Sequence, residues 1–203
     1  MTALPSRLIF LPGASGNTDF WRPAAQSLAY PAAQLHIGWP GFGPTPADSG
    51  VNSMDDLVTR LLPDIDQPTA LIAQSMGGIV AVLTALQRPE RITHLVLSVT
   101  SGGVNMPALG AQDWRPAFAD EFPSVPRWFI DDHSDLSERL AELQMPVLLL
   151  WGDNDPISPV RVGEHLARLL PCASLHVLEG AGHDLGFSHA AEVAKLIDRH
   201  LLG

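Results

Sequence analysis

Six short runs recur along the chain: RLIFL (7–11), QLHIG (34–38), TALIAQ (69–74), THLVLS (93–98), PVLLLW (146–151) and SLHVL (174–178). Most are apolar at nearly every position rather than at every second one. A strand with no wet face must be covered on both sides, as the strands of a parallel sheet are. The stretches between the runs can supply that cover. Residues 53–66 open on Ser53, followed by Asp55 and Asp56: a capping hydroxyl, then acids suited to the positive end of a helix. Residues 76–87 follow the third run, and residues 188–201 close the chain. Residues 159–170 follow Ser158 and start on Pro159, which reads as a cap with proline at the first helical position. The alternation predicts an α/β fold: about six mostly parallel strands, helices on both faces, right-handed crossovers.

One interval breaks the rhythm. Residues 102–144 are too many for a simple crossover, and they hold Trp114, Phe118, Phe122, Trp128 and Phe129 among four prolines. A long insertion in a compact domain is either functional or disordered, and this density of aromatic rings argues for order. The expectation is one domain over 1–203 with a small cap at roughly 102–144. Its aromatics either pack the cap onto the body or face a pocket.

Composition removes several classes of function. Hydrophobic residues make up 46% of the chain, ample for a core. Twelve basic residues stand against 22 acidic ones, and no basic cluster exists to grip nucleic acid or an anionic membrane surface. No run approaches the roughly 18 apolar residues of a membrane helix. The opening MTALPSRLIF has no charged start followed by a long apolar stretch, so no signal peptide is expected. Cys172 is the only cysteine, which fits a reducing compartment. A cytoplasmic protein acting on a small molecule is expected, its oligomeric state open.

Ligands of open α/β sheets sit beyond the carboxyl ends of the strands, so the residues after each run matter most. The third run ends in AQSMGG. Ser75 sits on a sharp strand-to-helix turn, with Ala73 and Gly77 as the small neighbours that such a turn needs. The helix that follows brings backbone N–H groups and a partial positive charge beside it. The fifth run leads into WGDNDPISP, where Asp153 and Asp155 could each orient an imidazole. The sixth leads into EGAGHDLGF, where His183 follows two glycines. Serine, aspartate and histidine, each after its own strand and in that order, match the arrangement expected of an α/β-hydrolase.

Together, LIFLPGASGNTDFW, GWPGFG, AQSMGG, WGDNDPISP and GAGHD resemble the α/β-hydrolase superfamily over nearly the whole chain. They are most similar to the small esterase and C–C hydrolase branch that includes the pimeloyl-carrier-protein methyl esterases. The resemblance implies Ser75 as nucleophile, His183 as general base and Asp155, three after Gly152, as the orienting acid. It places oxyanion donors on the Ala14 and Met76 N–H groups, although Pro12-Gly13 stands where the family usually carries His-Gly. The family's first two strands have no counterpart before residue 7.

The implied chemistry is cleavage of a small or medium ester or thioester through an acyl-enzyme, with no cofactor and no metal. Alternatives on the same scaffold are a C–C bond hydrolase, an acyltransferase, a perhydrolase or a ligand-binding module without turnover. Trp21, Met106, Trp114, Phe118 and Trp128 are the candidates for an apolar substrate pocket. Ile79 stands where relatives that take acidic substrates often place arginine, and Arg115 or Arg127 could substitute. The acidic group DDHSD (131–135) reads as a helix start rather than a metal site. His36, His94 and His176 fall inside strands and are expected in or near the core.

Overall fold

The computed structural model of the chain describes residues 3–203. Met1 and Thr2, the start of the stretch weighed as a signal peptide, lie outside them. The apolar runs become strands β1 (Arg7–Leu11), β2 (Ala33–His36), β3 (Thr69–Gln74), β4 (Ile92–Ser98), β5 (Val147–Gly152) and β6 (Ala173–Leu178). All pair in parallel, in the order β2-β1-β3-β4-β5-β6. Every residue of β3, β4 and β5 is buried, as mostly apolar sequence demands of central strands; His94 on β4 lies in the core, as expected.

The helices are α1 (Arg22–Ser27), α2 (Met54–Leu61), α3 (Met76–Gln87), α4 (Arg115–Glu121), α5 (Arg127–Ile130), α6 (Val160–Leu169), α7 (Leu185–Ser188) and α8 (Ala190–Leu202). α1, α7 and α8 pack together, with α8 against β4 and β5; α2 and α3 pack together, with α3 against β1, β3 and β4, and α6 covers β5 and β6. Ser53 caps α2, its hydroxyl accepting from Asp56 N at 3.1 Å. Pro63 then turns the expected tail of that helix into a short 3-10 turn at Leu62–Asp64.

Two readings need correction, His176 in the core and Ser158 as a helix cap, while His36 lies beside the core as expected. β6 has a neighbour on one side only, and His176 and Val177 on it are exposed rather than in the core. His36 on the opposite edge strand is half-buried and stacked on Phe10, with ring centroids 4.6 Å apart. Ser158 does not cap α6. The cap position is Pro159, and the Ser158 hydroxyl instead accepts from the buried Trp151 indole at 3.2 Å.

The interval 102–144 folds as a short 3-10 turn, α4, α5 and a second 3-10 turn at Ser137–Glu142. Its aromatics form a linked set. Trp114 stacks on Phe129 at 5.2 Å and meets Phe118 edge-on at 5.6 Å, while Phe42 from the body meets Trp128 and Phe129 edge-on. The rings therefore join the interval to the body as well as to itself. In DDHSD, Asp131 pairs with Arg127, Asp132 accepts from Ser134, and Asp135 accepts from Ser137 at the start of the second 3-10 turn.

Candidate active site

Strand order reverses between β1 and β3, because β1 continues to β2 on one side and the chain resumes on the other. A crevice opens beyond the carboxyl ends of strands at such a point. The loops after β1 and β3 flank it. Ser75 follows β3 with φ 53° and ψ −122°, a left-handed conformation that costs a non-glycine residue about 1–3 kcal/mol. Neighbouring backbone holds it there. Ser75 N donates to Ser98 O at 3.0 Å, and Ser75 O accepts from the Thr100 hydroxyl at 2.6 Å and from Gly78 N at 2.9 Å. Although Ser75 occupies the cap position of α3, its hydroxyl makes no capping bond.

That hydroxyl instead lies 3.1 Å from His183 Nε2. The other ring nitrogen of His183 lies 2.7 Å from Asp155 Oδ2. The Asp155 side chain is fully buried, and its second oxygen accepts from Ile157 N at 2.9 Å and Ser158 N at 3.2 Å. A buried carboxylate held by two amides and an imidazole has its orientation fixed and its charge spread over three donors. Asp153, the other candidate acid, is exposed and accepts from Gly180 N at 2.7 Å, tying the loop before His183. Gln74 adds a second tie, donating to His183 O at 3.2 Å. Gly152 lets the two loops touch, since a Cβ there would collide with the Ala181 carbonyl.

The donor side is built from β1 and the first turn of α3. Met76 N and Ala14 N donate to no backbone carbonyl among the described residues, and both residues line the same cavity as Ser75. The first N–H groups of any helix lack internal partners, which leaves Met76 N available to a ligand. Gly77 allows the close approach: a Cβ on it would lie 2.6 Å from Pro12 O and 2.7 Å from Leu11 O. Those two carbonyls are in turn fixed by indoles, Leu11 O by Trp21 Nε1 at 3.1 Å and Pro12 O by Trp39 Nε1 at 2.8 Å.

The cavity over Ser75 holds about 170 Å³. Met106, Trp114 and Phe118 from the candidate pocket set line it. Trp21 and Trp128 do not, and both assignments are corrected. Trp21 is 1% exposed, because a buried indole N–H needs an acceptor and finds it at the end of β1. Trp128 is turned toward Phe42. Ile79, Val99, Phe129 and Ile157 add to the cavity's apolar wall and Ser101 brings a hydroxyl; of these, sequence pattern pointed only to Ile79 as a substrate-facing position. Val99 adopts φ 41°, rare for a β-branched residue. That turn after β4 precedes the Thr100 hydroxyl that grips Ser75 O. Only knowledge that β4 lies beside β3 could have found Thr100.

A parallel α/β sheet with a serine, a histidine and a buried aspartate in hydrogen-bonded sequence at its switch point defines a hydrolase-type rim. The chain belongs to the Alpha/beta hydrolase family, whose model matches residues 8–196, and it is accordingly a hydrolase of α/β fold. It is 28% identical over 236 aligned positions to 2-hydroxy-6-oxononadienedioate/2-hydroxy-6-oxononatrienedioate hydrolase 2 of Pseudomonas putida, covering 92% of this chain and 82% of that protein. It is 26% identical to the pimeloyl-[acyl-carrier protein] methyl ester esterase of Neisseria meningitidis serogroup C, covering 82% of this chain and 81% of the other. Among solved structures, an esterase from Exiguobacterium antarcticum superposes with TM-score 0.82 at 14% identity, over 99% of this chain and 94% of that one. No helix among the described residues is long and apolar enough to cross a membrane.

Proposed function

We propose that the protein is a serine hydrolase that cleaves a small or medium carboxylic ester or thioester through an acyl-enzyme on Ser75. The observation that carries this reading is the continuous chain from Ser75 Oγ through the His183 ring to Asp155, with bonds of 3.1 and 2.7 Å. His183 removes the Ser75 proton as the oxygen attacks the carbonyl. Asp155 holds the ring with Nε2 toward the serine and stabilises the imidazolium. Ala14 and Met76 N–H groups receive the developing oxyanion. The proton on His183 passes to the departing alkoxide or thiolate. Water then enters, His183 takes its proton, and the acyl group leaves as the acid. The reaction uses no cofactor in this reading, its substrate is a small molecule, and the composition supports a cytoplasmic setting.

The cavity wall favours this reading over cleavage of an acidic ring-fission product. No arginine or lysine lines the cavity that holds Ser75. Arg127 pairs with Asp131 on the surface, and Arg115 is held by the Ile130 and Asp132 carbonyls at 3.0 and 2.9 Å. The test is fluorophosphonate labelling with peptide mapping, run beside p-nitrophenyl ester hydrolysis by the protein and its Ser75→Ala variant. Label on Ser75 and loss of turnover in the variant are expected. Label elsewhere, or undiminished turnover, overturns the mechanism.

A further inference from the structure

A second cavity of about 230 Å³ adjoins the one over Ser75, and Ile79, Ser101, Met106, Trp114 and Phe129 line both. Ligand pockets usually begin near 300 Å³, a size that neither cavity reaches alone and the two reach together. A substrate large enough to use both cavities would extend beyond the reacting carbonyl into the second.

The walls of the two cavities differ in chemistry. Around Ser75 they are mostly apolar. The second is bordered by Asn105, Arg115, Asp132, His133, Ser134 and Asp135. Arg115 brings one positive charge; its Nε and Nη2 donate to the Ile130 and Asp132 carbonyls, and its guanidinium lies against Trp114, 5.0 Å from the ring centre, with Nη1 bonded to no group among the described residues. Two carboxylates oppose it. Asp132 uses both oxygens on Ser134, whereas Asp135 uses only Oδ1, on Ser137 N and Oγ, and its other oxygen has no donor among the described residues. Two carboxylates against one guanidinium leave the border net negative. It suits a group that donates hydrogen bonds and repels a carboxylate.

We propose that this second cavity is the subsite for the remote end of the substrate, a non-acidic group that donates hydrogen bonds, such as an amide N–H, a hydroxyl or an ammonium. The proposal rests on the ester-hydrolase reading of Ser75 and names the substrate class for it. It makes the natural substrate two-ended, with an apolar stretch beside the scissile bond and a polar, uncharged or cationic terminus.

The test uses two sets of matched esters of equal chain length, ending in methyl, acetamido or carboxylate. One set carries the terminus on the acyl chain, the other on the alcohol, and acid release is followed in a pH-stat. In at least one set the acetamido ester is expected to show the lowest KM and the carboxylate ester the highest, about tenfold apart, the ratio that 1.4 kcal/mol produces. Added salt should narrow that gap by screening the border, and so should Asp135→Asn. Equal KM values in both sets, or a preference for the carboxylate, overturns the subsite. Hydrolysis that persists in Ser75→Ala overturns the ester reading instead. Turnover that needs Ser75 but ignores the terminus removes the subsite alone.

Discussion

Gly77→Ala is the sharpest probe of the donor side of the site. The added methyl would meet Pro12 O at 2.6 Å and Leu11 O at 2.7 Å, where ordinary contact begins at 3.4 Å. Both obstacles are backbone, and neither can swing away, because the Trp39 and Trp21 indoles hold them at 2.8 and 3.1 Å. The start of α3 must therefore move off the end of β1, and Met76 N moves away from Ala14 N. Overpacking of this kind costs about 1–3 kcal/mol of stability. Displacing one oxyanion donor costs about 10²–10³ in kcat. The assay is kcat for a p-nitrophenyl ester beside a urea unfolding curve, with Gly182→Ala as control. A methyl on Gly182 meets nothing nearer than 3.7 Å, so that neighbour of His183 should tolerate it. A folded Gly77→Ala protein with kcat within a few-fold of the parent would refute the assignment of the Ala14 and Met76 amides.

Asp155→Asn should preserve the fold and lower kcat by about 10⁴, because an amide facing His183 Nδ1 no longer selects the working tautomer; steady-state kinetics on a soluble variant will decide. Thr100→Val removes the 2.6 Å bond to Ser75 O and leaves that carbonyl without the hydroxyl, at a cost of about 1–3 kcal/mol. Its kcat should fall while KM holds, and Thr100→Ser should restore the rate. Burial, and then the neighbouring His94, hold His200 at about 4, below the ordinary 6.5. The unfolded chain thus takes up a proton that the fold refuses. This group's contribution is complete above about pH 6.5 and is lost as the pH falls toward 4, up to about 3 kcal/mol. His200→Leu should flatten the acid limb of a urea-midpoint series between those pH values, and an unchanged limb would count against the buried-histidine account.

The sheet was readable because a doubly covered strand cannot hide its composition: β3, β4 and β5 are buried along their length and mostly apolar, with Thr69, Gln74, Thr93, His94 and Ser98 as the buried polar exceptions. The edge strands blur that signal, since one flank has no partner, and so His176 was misplaced. Residues that close the rim could be found because each follows a strand whose end is marked by glycine or proline. Pocket lining was harder. Trp21, Trp114 and Trp128 are the same residue type in similar surroundings, and only packing decides that Trp114 faces the cavity while Trp21 serves a carbonyl. Ser158 shows the same limit. Its position before a proline suggested a helix cap, but a buried indole competed for the hydroxyl and won.

The two indoles that grip the end of β1 have a consequence for how the protein works at temperature. A loop fixed from behind is organised once, when the chain folds, and meets each arriving substrate already in shape. The cost of arranging it is thus settled in advance of turnover. Heating should accordingly leave no state in which the body survives and this loop has slackened. The buried-indole emission and the catalytic rate are tied to one scaffold, so the red shift of the emission and the loss of rate should come in a single step.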